Sequence, residues 1–153
     1  MKLHIEIDEN IIEDEIVIRC REMTDDVLKM QKMFQEYLKA PMQLKVTRQS
    51  TEYYIPVEEV LFLETSDAEV AVHTKDEIYF SKSRLYELEE QLPGGFIRAS
   101  KSAIINTDKV RGIQKNITGS SAIEFTDTGK KAYVSRNYIK TVMDKIEERR
   151  FKR

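Results

Sequence analysis

Apolar and polar residues alternate at two places near the start of the chain. Leu3, Ile5 and Ile7 form one period-2 run, and Ile16, Ile18 and Cys20 form another. That spacing predicts two strands, with the polar stretch from Asp8 to Asp14 as their hairpin connection. A helix follows. Thr24 is a suitable N-cap, and Asp25 and Asp26 suit the positive end of a helix dipole. Val27, Met30, Phe34, Tyr37 and Leu38 recur at helical spacing until Pro41 stops the pattern. Residues 1–41 thus read as a small ββα extension. A piece this short rarely folds unaided, which predicts that it packs on its own neighbour or associates with another chain.

After Pro41 the pattern is mostly that of strands. Leu44 and Val46 mark one, and Tyr53, Ile55 and Val57 the next. The unbroken run Val60-Leu61-Phe62-Leu63 fits a strand buried on both faces. Val70 and Val72, then Ile78 and Phe80, flank a turn around Asp76-Glu77. A short helix is predicted after Ser83 with Leu85, Leu88 and Leu92 inward, ended by Pro93-Gly94-Gly95. Further strands are predicted over 96–99, 110–115, 122–125 and 131–134. A last helix, N-capped by Ser135, carries Tyr138, Ile139, Val142, Met143 and Ile146 on one face. The fold class expected is mainly β with helices (α+β), with residues 44–149 as the principal domain.

Composition narrows the function. The 153 residues are 41% hydrophobic, enough for a core. No apolar run approaches the length of a membrane helix, and MKLHIEIDEN turns acidic too early for a signal peptide. A single cysteine, Cys20, excludes an intramolecular disulfide framework and fits a reducing cytoplasm. As part of an apolar strand face it reads as a buried packing residue. The charge is uneven: 11 Lys and Arg face 21 Asp and Glu up to Leu92, and 14 face 6 from Pro93 onward. A basic second part predicts contact with a polyanion there. Enzyme chemistry has little support. No nucleotide-binding glycine loop, paired-histidine metal motif or nucleophile elbow occurs, and His4 and His73 sit in separate strands. No catalytic residue, metal or cofactor is expected.

The most informative stretch is GFIRASKSAIINTDKVRGI followed, after a hairpin, by AYVSRNYIKTV. It joins Phe96 and Arg98, then Ser100-Lys101-Ser102, Ile104-Ile105 and Asn106, and later the Ser135-Arg136 pair. Upstream stand VEEVLFLETSDAEVAVHT and SKSRLYELEEQL. In this order these segments resemble the LytTR family of DNA-binding transcriptional regulators, over about Leu44 to Ile146. The resemblance implies an elongated β-sandwich that carries a helix between strands. It also implies binding of double-stranded DNA by loops in successive major grooves.

Carried onto this chain, the resemblance assigns Arg136 to base contact, and Lys101 to a guanine or a phosphate. Ser100 and Ser102 belong to the same loop, with Ser102 facing a phosphate. Asn137 and Lys140 suit phosphates, and Glu69 can accept from a cytosine amine. Arg98 is open between a brace and a phosphate contact, and Asn106 is structural. The loop at Ser66-Asp67-Ala68-Glu69 is short and acidic. Many family members begin with a phosphoacceptor receiver domain, for which the 43 leading residues are too few. The extension instead suggests a homodimer, or a membrane-protein or other signalling partner. The alternative function is a protein-interaction module that binds no DNA.

Overall fold

The computed structural model describes residues 2, 4–12, 14–39 and 42–150. The chain divides into two compact units, Met1–Ala40 and Pro41–Arg153.

In the first unit one helix forms, α1 (Asp25–Lys39). Its start is the predicted one: the Thr24 hydroxyl accepts from the Val27 amide at 3.4 Å. The predicted hairpin does not form. No strand occurs among the described residues before Asp25, and Ile5, Ile7, Ile12, Ile16 and Ile18 are exposed. Leu3 lies outside the described residues. Two strands alone are marginal in water, because one hairpin has no second layer against which to bury its apolar face. Cys20, expected to be buried in that face, is accordingly exposed.

Among the described residues the second unit holds ten strands and two α-helices. They are β1 (Gln43–Arg48), β2 (Thr51–Pro56), β3 (Val60–Ser66), β4 (Glu69–Thr74), β5 (Ile78–Ser81) and α2 (Leu85–Gln91). Then come β6 (Phe96–Ser100), β7 (Ala103–Asn106), β8 (Val110–Gln114), β9 (Ser121–Phe125), β10 (Lys131–Val134) and α3 (Ile139–Arg150). Seven strands form one antiparallel sheet in the order β2-β1-β5-β4-β3-β7-β6, and three form a second, β10-β9-β8. The first sheet is covered on both faces, which is why it needs two cores. One core joins Leu44, Val46, Ile55, Leu63, Val72 and Ile104 to Leu85 and Leu88 of α2. The other joins Phe62 and Ile105 to Ile123, Phe125 and Val134 of the small sheet and Val142 of α3.

The run Val60–Leu63 serves both cores, as its unbroken apolarity predicts: Val60 and Leu63 enter the first, Leu61 and Phe62 the second. Phe62 stacks on Phe125 across the two sheets with ring centroids 5.4 Å apart. At one end of the strands Lys130 clamps the layers. Its ammonium donates to the carbonyls of Thr74 at 2.7 Å and Glu77 at 2.9 Å. Burial holds its pKa below the usual lysine value. Asn106 braces as expected, its amide donating to the Val60 carbonyl at 2.9 Å.

Candidate nucleic-acid interface

At the other end of the strands three turns converge. The first joins β3 to β4 through Asp67 and Ala68, with Ser66 and Glu69 paired at its base. Asp67 takes the left-handed conformation (φ 52°) that two-residue hairpin connections favour. The second joins β6 to β7 through Lys101 and Ser102, between the paired Ser100 and Ala103. The third leads from β10 into α3. Main-chain hydrogen bonds lash them together: the Thr65 amide donates to the Ser102 carbonyl, and the Ser135 amide to the Ala99 carbonyl, both at 2.9 Å.

Arg136 does not stand inside the last helix, as the Ser135 cap predicts. It lies in a turn over residues 136–138, and α3 begins at Ile139. The reason is the sheet. Ser135 spends its N–H on Ala99 and its carbonyl on the Tyr138 amide, so the chain turns once more before Tyr138 and Ile139 reach the second core. Arg136 and Asn137 are exposed on this turn, and Lys140 is exposed one residue into the helix. Lys101 is exposed on the neighbouring turn. Among the described residues none of these four side chains holds a protein partner. Ser102 is exposed beside them; its amide donates to the Ser100 hydroxyl at 3.2 Å. Glu69 is half-buried at the edge of the group.

Arg98 differs. Its Nε donates to Oε2 of Glu89 and its Nη1 to the Lys101 carbonyl, each at 2.7 Å. Both groups are committed within the protein, which favours the brace over the phosphate contact. Sequence reasoning missed Glu89, one of several acids on a helix face, and Thr65, whose tie to Ser102 crosses 37 residues. It also missed the pairing of Glu64 with His73, at 2.9 Å between Oε1 and Nε2. No local signal marks such long-range partners. The polar face of α3 neutralises itself through Lys145 with Glu148 and Arg150 with Glu147. Arg149 grips Asp108 through two hydrogen bonds of 2.5 and 2.8 Å, and that carboxylate raises the guanidinium pKa.

A shallow cleft of about 410 Å³, lined by Glu59, Thr74, Lys75, Asp76, Lys109 and Asp127 among others, lies at the opposite end of β3 and β4 from these turns. Its lining mixes both charges, and none of the predicted site residues reaches it.

The two stacked sheets thus gather exposed basic side chains on adjoining turns, an arrangement that suits contact with a polyanion. The profile of the LytTR DNA-binding domain family matches residues 50–147, and the chain belongs to that family. An uncharacterized HTH-type transcriptional regulator from Staphylococcus aureus strain NCTC 8325 is 29% identical over 146 residues, covering 95% of this chain and 98% of the relative. One from strain MW2 is 32% identical over 94 residues, covering 61% and 63%. The LytTR DNA-binding domain of a methyl-accepting/DNA response regulator candidate from Bacillus cereus superposes with a TM-score of 0.63 at 21% identity. That match covers 70% of this chain and 98% of the other, and shows the same fold. Despite the relatives' names, no helix-turn-helix pair occurs among the described residues, since five strands separate α2 from α3. No helix among them is long and apolar enough to cross a membrane.

Proposed function

We propose that this chain is a bacterial transcriptional regulator of the cytoplasm that binds specific double-stranded DNA sequences through loops in the major groove. The observation that carries this reading is the convergence of three lashed turns bearing unpaired Lys101 and Arg136 within the basic part of the chain. A rigid scaffold under a short turn holds a long side chain at base-edge distance.

Arg136 reads a guanine through its planar fork, and Lys101 a guanine or a phosphate. Ser100, Ser102, Asn137 and Lys140 hold the backbone on either side. Glu69 accepts from a cytosine amine, and the acidity of its turn repels phosphate, so this turn favours base edges over backbone. The protein acts as a homodimer, and the first unit supplies the association surface for a second copy or a signalling partner. The exposed Ile5, Ile7 and Ile12, together with Tyr37 and Leu38 of α1, favour that role over DNA contact. Residues 1–41 also carry 6 basic against 10 acidic side chains, which repel phosphate.

Selection of bound duplexes from a random pool tests the reading. A recovered consensus, bound more tightly than its scrambled version, supports it. Recovery of no consensus, with equal affinity for both, turns the reading toward a protein-interaction module.

A further inference from the structure

We propose that Glu89 is a positioning residue for DNA recognition: it acts through Arg98 to set the Lys101–Ser102 turn. The inference rests on the DNA-reading function above and extends it to a helix that touches no nucleic acid.

The turn needs outside support. Two-residue hairpin loops favour types I′ and II′, whose left-handed residues match the twist of the strands. The β1–β2 hairpin does this unaided, with Gln49 at φ 48° and Ser50 at φ 64°. Neither Lys101 nor Ser102 has a positive φ, so their turn is of a kind that tends to splay its strands. The strands already slip at its base, where the register shifts between Arg98 and Ser100. Two contacts compensate. The Ser100 hydroxyl accepts from the Ser102 amide, and Arg98 donates to the Lys101 carbonyl.

Arg98 can do so because Glu89 holds it from the other side. α2 is itself anchored by Leu85 and Leu88 in the first core, which holds the backbone that carries Glu89. The guanidinium bridges the Glu89 carboxylate and the turn through two different nitrogens, each at 2.7 Å. The Arg98 side chain is only 21% exposed, against 44% for Glu89. A lysine in its place lacks the planar fork that serves both partners at once.

The test uses the full chain with two duplexes of equal length, one selected from a random pool and one scrambled. Glu89→Ala removes a negative charge, so a purely electrostatic account has it tighten binding to both. The relay makes the opposite demand. Glu89→Ala and Arg98→Lys weaken binding to the selected duplex by about tenfold, the order by which one base-reading contact discriminates. Binding to the scrambled duplex is not weakened in either variant, because Lys101 and Arg136 keep their charges. Alanine keeps α2 helical.

A second measurement needs no DNA. The amides of Thr65 and Ser102, bonded to the Ser102 carbonyl and the Ser100 hydroxyl, exchange with solvent faster in both variants. Unchanged exchange, or tighter binding of the selected duplex by Glu89→Ala, overturns the relay. So does an equal loss on both duplexes for Arg98→Lys, because the relay weakens the selected duplex alone. If the unaltered chain prefers neither duplex, the DNA reading fails by itself. Exchange then still reports whether Glu89 and Arg98 hold the turn.

Discussion

Arg136 and Lys140 stand four residues apart, yet their expected roles separate cleanly. Arg136→Ala lowers affinity for a selected duplex by the roughly 1–3 kcal/mol that a bidentate arginine–guanine pair discriminates, and leaves scrambled DNA less affected. Lys140→Ala weakens both duplexes alike and lowers the salt slope by about one. Titrations of both duplexes at two salt concentrations separate the cases, and an equal loss on both for Arg136→Ala makes it a phosphate clamp. A third residue governs stability instead. His73 stacks on Phe62 at 4.0 Å and meets Glu64 with Nε2, while its Nδ1 is buried with no partner among the described residues. Burial chiefly holds its pKa below the ordinary 6.5; Lys130 adds to that and Glu64 opposes it. The unfolded chain therefore takes up a proton near pH 6.5 that the folded chain refuses. Stability from this group is complete above 6.5 and is lost as the pH falls from there toward the folded pKa. His73→Phe keeps the ring stack and flattens that decline, as urea midpoints above and below pH 6.5 will report. An unchanged slope places the acid sensitivity elsewhere.

Elements with a strong period and a layer to bury it were legible in the sequence. The unbroken run Val60–Leu63 foretold a strand between two cores, and the leucines of α2 foretold its inward face. β7 was not legible, although it is buried throughout. Its four residues, Ala103–Asn106, are too few to show a period, and only pairing with β3 and β6 makes them a strand. The first unit erred the other way, since a clean alternation promised a hairpin and no strand forms there among the described residues. For the candidate site, the family resemblance named Lys101 and Arg136, and the structure sets both on exposed turns. The lashings join residues some 36 or 37 apart, and the Glu89 brace joins a helix to a strand across the Pro93 break, pairings that no periodicity encodes. The first unit also makes a prediction at this scale. Removing residues 1–40 lowers the oligomeric state measured by light scattering and leaves a monomer with weak DNA binding. Full oligomeric state with undiminished affinity assigns association to the second unit.

For the whole molecule, the proposed function expects the stretch from Pro93 onward, where 14 Lys and Arg face 6 Asp and Glu, to draw DNA toward it. A homodimer reading two half-sites is bound by helical phase. Half-sites one turn apart lie about 10 base pairs centre to centre, on one side of the duplex. Inserting about five base pairs rotates one of them to the far side. Affinity for such a duplex is expected to fall to that of a single half-site, and a ten-pair insertion to restore much of it. Indifference to the insertions indicates a monomer on each half-site.

The lashings between the turns run through the main chain, from the Thr65 and Ser135 amides to the Ser102 and Ala99 carbonyls. Every residue type except proline offers those groups, so the identities of the projecting side chains are decoupled from the architecture beneath them. Positions 68, 101, 136 and 137 can therefore drift under selection while the strands persist, whereas position 67 is held to residues that tolerate its left-handed backbone. One ancestral scaffold can in this way found a lineage of regulators with divergent operators, each new preference arising from a few codons and none requiring a new fold.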